Sequence, residues 1–364
     1  MLQPRIKNVH SPFALPGNRI IVGLGQYGVA SELTDDDERT LEHLLVLMDG
    51  TRDTDRICAD LAVTHPDVDE ASVREVIADL IAAGFVEDAA AELPAGLTDR
   101  EARRYASPRH YYAWIDTTPR SSPYDVQARL KRSRVALLGL GGTGSAVAAG
   151  LVASGVNLHC ADFDVIEEGN LCRQLLYTET DVGGTKVERA VARLRAMNSL
   201  VEVTGEQLRV SAAEDVEKLM AGCDALVLCA DSPHPEILRW TNEAAWRTRT
   251  PWFVALYTGP MAVVGSYLPG TTGCWECLRR KQKQQENFHS SRPLRADTRE
   301  NAVMAATAMV TGQLCALEVI HHLGGLKSQV PGRIFNWNFA NWEHQYFTDV
   351  PTYPDCSICG ESAR

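Results

Sequence analysis

Apolar residues recur at helical spacing in three blocks near the start of the chain. Leu41, Leu44, Leu45 and Met48 share one face of a first helix, with Thr34 as its expected start, Asp37 as capping-box partner and Gly50 as its stop. Residues 57–63 suggest a second helix. Val73, Val76, Ile77, Leu80 and Ile81 fall at i, i+3, i+4, i+7 and i+8 ahead of Gly84, which predicts a third. Extended stretches around 20–22, 27–30 and 85–86 flank these helices, so residues 1–95 read as a small winged-helix-like domain. From Ala89 the composition shifts to Ala, Pro, Asp and Arg, and TTPRSSP at 117–123 carries turn chemistry without apolar periodicity. Residues 96–130 are therefore expected to be a linker with an embedded Arg/Tyr-rich segment, ARRYASPRHYY. Beyond it, apolar runs at 135–138, 158–161, 226–229 and 252–256 alternate with helical patterns. That alternation predicts an α/β domain over 131–364 with a mainly parallel sheet.

Composition narrows the classes of function. The 364 residues are 45% hydrophobic and 23% charged, as expected of a globular chain with more than one domain. Lys+Arg 36 against Asp+Glu 47 leaves a formal net charge of -11, which repels phosphate backbones and anionic lipid. Neither a nucleic acid nor a membrane is expected as partner. Within 33–95 the imbalance is sharper, with 17 acidic and 4 basic residues, so this winged-helix-like unit is unsuited to reading DNA. Two roles stay open for it: an accessory or dimerisation domain, or a peptide-docking unit whose sheet edge accepts an added strand. The N-terminal segment has no apolar core of signal-peptide type and no stretch is long and apolar enough to span a bilayer, so a cytoplasmic location is expected. In that reducing compartment the ten cysteines read as buried apolar residues or metal ligands.

The candidate chemistry begins where the 135–138 strand meets Gly139-Leu140-Gly141-Gly142-Thr143-Gly144, a loop that lets backbone N–H groups at a helix start cradle phosphates. Asp162 follows the next strand, 18 residues past Gly144, where a carboxylate can meet ribose hydroxyls. These features fit a nicotinamide enzyme equally well. The set Asp162-Phe163-Asp164, Asn170-Leu171-Cys172-Arg173-Gln174, Gly183-Gly184-Thr185-Lys186 and Ala230-Asp231 breaks the tie. A hydride-transfer site has no use for two cations and several carboxylates around its phosphates. A site that cleaves a nucleoside triphosphate does, since Arg and Lys stabilise charge on the phosphates while an Asp positions magnesium. Separately, Cys274-Trp275-Glu276-Cys277 and Cys356-Ser357-Ile358-Cys359 supply four thiolates, the ligand set of a closed structural zinc site; two unrelated turns or a redox pair are the alternatives. Cys58, Cys160, Cys223, Cys229 and Cys315 read as core, and Cys172 as a small packing residue.

Taken together, GxGGxG, DxD, NLxRQ, GxxK, the later AD and the paired CxxC resemble the ubiquitin-activating superfamily in its bacterial branch, the ThiF/MoeB-type adenylyltransferases, over about residues 100–364. The acidic N-terminal unit, the NLCRQLLY string, the GCWEC turn and the CSICG near the C-terminus resemble the microcin C-type peptide-adenylating enzymes of that branch. The resemblance implies a Rossmann-like adenylation domain preceded by a peptide clamp. It implies Gly139, Gly141 and Gly142 along the phosphates, Asp162 on the ribose, Asn170 and Arg173 on the triphosphate, and Lys186 near the reacting phosphate. Asp231 would lie on magnesium, and Asp164 and Gln174 would complete the nucleotide set. Arg173, Lys186 and Asp231 are the implied catalytic residues. Also implied are Mg2+ with ATP or CTP, a structural zinc ion, a short peptide substrate, and a homodimer in which each site borrows an arginine, with Arg104 and Arg109 as candidates. Asn242, on the helix after Asp231, is a further candidate for the site. One departure matters: no cysteine lies between Cys277 and Cys315, including KQKQQENFHSSRPLR at 281–295, so a thioester is not expected. The expected activity is nucleotidylation of a peptide C-terminus with pyrophosphate release. The rivals are adenylation of a Gly-Gly-ended sulfur carrier and noncatalytic recognition of a leader peptide.

Overall fold

A computed structural model describes residues 2–24, 29–285 and 302–360. The chain divides into two compact units, Met1–Arg129 and Leu130–Arg364.

The first unit holds strands β1 (Pro4–Ile6), β2 (Phe13–Leu15), β3 (Arg19–Val22) and β4 (Ser31–Thr34), then helices α1 (Thr40–Leu47), α2 (Thr54–Thr64) and α3 (Glu70–Ala82), and strand β5 (Val86–Asp88). β2, β3 and β4 form an antiparallel sheet in that order, and β1 pairs with β5. Ile20, Leu44, Met48, Ile57, Leu61 and Ile77 are among the buried residues at its centre, so the helical periodicity marks the true core faces. The start of the first helix is corrected. Thr34 closes β4, and α1 begins at Thr40 because the acidic run before it caps the backbone: Asp36 Oδ1 accepts from the N–H of Thr40, and Asp35 accepts from those of Leu41 and Glu42. The strand expected over 27–30 lies partly outside the described residues; β4 begins at Ser31.

The linker expected over 96–130 is also corrected. It contains α4 (Asp99–Arg104), α5 (Ala106–Ile115) and the start of α6 (Asp125–Arg132). A reciprocal capping box between Thr98 and Glu101 starts α4. Lys7 Nζ donates to the Asp116 carbonyl at 2.9 Å, and Gly84, at φ +77°, lies so close to Thr117 that a Cβ there would come within 1.9 Å of its carbonyl oxygen. These contacts bind the segment to the body of the first unit.

In the second unit an eight-stranded sheet runs in the order β13-β12-β11-β10-β9-β6-β7-β8. In chain order its elements are β6 (Arg134–Leu138), α7 (Gly142–Ala153), β7 (Asn157–Asp162), α8 (Lys186–Met197), β8 (Val203–Gln207), α9 (Ala213–Leu219), β9 (Ala225–Leu228), α10 (Glu236–Thr248), β10 (Trp252–Thr258), β11 (Met261–Tyr267), α11 (Trp275–Gln285), α12 (Ala305–Gly324), β12 (Arg333–Asn338) and β13 (Gln345–Asp349). The four strands expected from apolar runs, β7-β6-β9-β10, pair in parallel, and β8, which no apolar run announces, joins them beside β7, as a Rossmann-like sheet requires. β11 to β13 extend it antiparallel. The strand order turns back between β6 and β9, so the chain leaving β6 and β7 on one side and β9 on the other opens a crevice above their carboxyl ends.

Candidate active site

Three strand ends meet at this crevice. β6 delivers Gly139 to Gly142, β7 delivers Asp162 to Asp164, and β9 delivers Ala230 and Asp231; all of these except Leu140 line one cavity of about 490 Å³. Glycine is needed at two places in the loop. Gly139 adopts φ +98°, and a Cβ there would come within 2.6 Å of the Ala230 nitrogen. At Gly144 a Cβ would lie 1.9 Å from the Gly139 carbonyl oxygen. Gly141 precedes α7 with no side chain capping the helix, which leaves its first N–H groups for an anion.

The residue between these glycines locks the loop. Leu140 N–H donates to Asp162 Oδ2 at 2.6 Å, while its carbonyl accepts from Ser145 Oγ at 3.0 Å and from the Tyr177 hydroxyl at 2.9 Å. Asp162 Oδ1 accepts from the N–H of Asp164 at 2.8 Å. Both carboxylate oxygens of Asp162 thus organise backbone around the cavity they line.

Cations and anions line the cavity together. Lys186, the first residue of α8 and buried, extends Nζ to Asp164 Oδ2 at 2.8 Å. Its own N–H donates to the Asp164 carbonyl, so the two are held twice. Arg173 follows a short turn at Glu168–Asn170 and donates to the Gly169 carbonyl at 2.6 Å. Tyr257, at the end of β10, has its phenol pushed up by burial and by Asp231, with Arg173 acting in the opposite sense. Arg209, just past β8, lies over the Phe163 ring with 3.7 Å between its guanidinium carbon and the ring centroid.

The structure therefore brings Gly139, Gly141, Gly142, Asp162, Asp164, Arg173, Gln174, Lys186 and Asp231 to one cavity. Other expected residues stand elsewhere. Asn170 does not line the cavity; its Oδ1 accepts from Glu167 N–H and shapes the turn that carries Arg173. Arg109 sits in α5 of the first unit, with its guanidinium 3.9 Å from Glu87 and over the Tyr124 ring. Asn242 is buried away from the cavity, and its Oδ1 accepts from Trp275 N–H at 2.9 Å, tying α10 to the start of α11. Cys172 is exposed, against its expected packing role. Arg209, Tyr257 and Trp240 line the cavity without having been singled out in the sequence; Arg209 stands just past a strand, Tyr257 near the end of β10 and Trp240 on a helix, with no motif around any of them.

The two CxxC turns converge. Sγ of Cys274 lies 3.6 Å from that of Cys356, and Sγ of Cys277 lies 3.4 Å from that of Cys359, with all four sulfurs within 4.8 Å of one another. A disulfide needs about 2.05 Å. Tetrahedral zinc with Zn–S bonds of about 2.3 Å spaces its sulfurs by roughly 3.8 Å, so the four residues fit that ion.

Residues 117–358 match the sequence profile of the ThiF family. The chain belongs to the ThiF family. Among its ThiF-type relatives, the sulfur carrier protein ThiS adenylyltransferase of Bacillus subtilis is 36% identical over 155 residues, which cover 42% of this chain and only 45% of that protein. The sulfur carrier protein adenylyltransferase of Thermus thermophilus is 32% identical over 241 residues, 65% of this chain and 85% of that protein. Among solved structures, E. coli MccB with ATP superposes with a TM-score of 0.75 at 24% identity, over 98% of this chain and 99% of that one. MccB has also been solved with AMPCPP and MccA, and it is described as a microcin C7 biosynthetic enzyme. That likeness establishes a shared fold for a ThiF-type domain joined to an N-terminal unit.

Proposed function

We propose that this protein nucleotidylates the C-terminus of a short ribosomal peptide with a magnesium nucleoside triphosphate, ATP or CTP, releasing pyrophosphate in a microcin C-like antibiotic biosynthesis. The observation that carries this reading is coverage: the ThiF match begins at residue 117, whereas the likeness to MccB takes in the first unit as well. An acidic, strand-edged unit that precedes the ThiF-type domain in the chain suits capture of a peptide.

In this reading the glycine loop and the start of α7 receive the phosphates. Lys186, held by Asp164, and Arg173 stabilise negative charge as the α-phosphorus is attacked by the peptide's terminal carboxylate or an amide-derived nucleophile. Asp231 offers an exposed carboxylate at the cavity, the kind of single protein ligand magnesium takes beside substrate phosphates. The ion supplies charge neutralisation when bound. By family resemblance the peptide ends in Asn, passes through a succinimide and is then nucleotidylated on nitrogen to leave a stable N–P bond. The two residues that would supply an arginine across a homodimer remain Arg104 and Arg109. The zinc ion on Cys274, Cys277, Cys356 and Cys359 is structural, with no open position for water.

The second reading, adenylation of a Gly-Gly-ended sulfur carrier, is favoured by what the sequence relatives are called. A noncatalytic role is disfavoured because Arg173, Lys186 and Asp231 all line the same cavity. The test is intact-mass analysis of a short peptide encoded beside this gene, incubated with enzyme, magnesium and ATP or CTP. A gain of one nucleoside monophosphate, lost in Lys186→Ala, is expected. Pyrophosphate release driven only by a Gly-Gly-ended carrier would move the protein to the second reading.

A further inference from the structure

The four-thiol cluster is open to a second chemistry besides holding a metal. Its sulfurs meet across the two turns: Cys356 Sγ lies 3.6 Å from Cys274 Sγ, and Cys359 Sγ lies 3.4 Å from Cys277 Sγ. Bonding either pair shortens the gap by roughly 1.5 Å, the scale of a side-chain adjustment.

Protein contacts around the sulfurs set which thiol faces which. Each turn is fixed by its own backbone, since Leu278 N–H donates to the Cys274 carbonyl at 3.2 Å and Gly360 N–H to the Cys356 carbonyl at 2.9 Å. α11 then faces the second turn. Arg280 pairs with Asp355 at 2.7 Å and lies over the Tyr353 ring, whose hydroxyl donates to Gln284 Oε1 at 3.1 Å. Lys281 Nζ donates to the Asp349 carbonyl at 2.9 Å.

A small oxidant has a route to the cluster. A cavity of about 470 Å³ is lined by Cys277 and Cys356, one thiol from each turn. Each of these has its close neighbour on the opposite turn, Cys359 for Cys277 and Cys274 for Cys356. Cys160 and Cys315, by contrast, are fully buried.

We infer that the four thiols are also a site of reversible oxidation by hydrogen peroxide, which joins Cys277 to Cys359 and Cys274 to Cys356 while any zinc they hold departs. In each pair one sulfur attacks the peroxide, whose O–O bond breaks to leave a sulfenic acid and a water molecule. The facing thiol then displaces the hydroxyl as a second water, and the S–S bond forms. Two electrons pass from each pair to one peroxide, so two peroxides give two disulfides and four waters. The segment beyond 350 stays tethered in both states, by metal when reduced and by sulfur when oxidised. This inference does not depend on which substrate the nucleotide cavity serves.

The test uses the reduced, full-length protein loaded with zinc and treated with a small excess of hydrogen peroxide. Zinc release is followed with a metallochromic dye, disulfides by peptide mapping without reductant, and the state of the tail by limited proteolysis. Zinc and both cross-turn linked peptide pairs are expected to appear together, and dithiothreitol should reverse both. The region beyond 350 should stay resistant to protease. In Cys359→Ser only the link between Cys274 and Cys356 should form. Maps dominated by Cys274 joined to Cys277, and Cys356 to Cys359, would overturn the inference, as would sulfinic or sulfonic acids in place of disulfides. So would four free thiols and retained zinc at a peroxide dose that oxidises the exposed Cys172. Protein that takes up no zinc is judged by the mapping alone: cross-turn links support the oxidation site, and their absence refutes it.

Discussion

Asp162 shows what a spacing argument can and cannot reach at the scale of a residue. Its distance from the glycine loop places a carboxylate at the end of β7. Nothing in the spacing indicates that its two oxygens are engaged by the N–H groups of Leu140 and Asp164. Asp162→Ala strands the Leu140 N–H in a fully buried residue, so a loss of about 1–3 kcal/mol in urea unfolding is expected, with a smaller loss for Asp162→Asn, which keeps one acceptor. An unchanged midpoint would mean that the loop holds its shape without the carboxylate. Cysteine reactivity divides in the same residue-by-residue way. Cys172 is exposed beside Arg173, whereas burial pushes the Cys160 thiol up to about 12 and raises that of Cys315 as well. Iodoacetamide at pH 8 followed by peptide mapping should label Cys172 in the native protein, and Cys160 and Cys315 only after unfolding. Apolar neighbours make Cys160 legible as core in the sequence; the exposure of Cys172 depends on a turn that no local pattern announces.

At the scale of elements, the helices of the first unit and four of the parallel strands, β6, β7, β9 and β10, are legible because their apolar residues are buried in the cores that their patterns imply. The segment 96–130 is misread because α4 and α5 are short and rich in Arg and Tyr, so capping and contacts such as Gly84 with Thr117 decide its structure rather than an apolar stripe. β8 and β13, the two edges of the sheet, are missed because an edge strand buries too little to show a period, and β12, with one buried residue, is missed for the same lack of burial. Asn242 is a further contact between elements that the sequence misassigns. Asn242→Ala removes the acceptor for Trp275 N–H beneath the first CxxC turn, and a loss of about 1–3 kcal/mol is expected in denaturant unfolding. Cys356→Ser should reduce bound zinc measured by atomic absorption and expose residues beyond 350 to limited proteolysis. Full zinc content in that variant would refute the four-thiolate assignment.

For the whole molecule, the uneven charge is the informative quantity. Under the proposed function, the acidic excess in 33–95 marks the unit that would take the peptide, apart from the unit that would carry the phosphate chemistry. If that division of labour holds, residues 130–364 alone still bind nucleotide by calorimetry, more weakly for want of Arg104 and Arg109, and fail to modify the peptide. Modification at the full rate by that fragment would strip the first unit of its role. Paired CxxC motifs and the order of glycine loop, carboxylates and cations make this half of the molecule readable from the chain, whereas the cavity's outer wall, with Arg209 and Tyr257, is assembled only by folding.

The metal site also sets an order in time. Its two halves stand 82 residues apart along the chain. At a synthesis rate of about 5–20 residues per second, Cys274 and Cys277 leave the ribosome several seconds before Cys356 and Cys359. During that interval the first thiol pair has no partner. With zinc on the four thiols, as proposed, the domain would be sealed late and would depend on how much zinc the cell holds when those last thiols emerge.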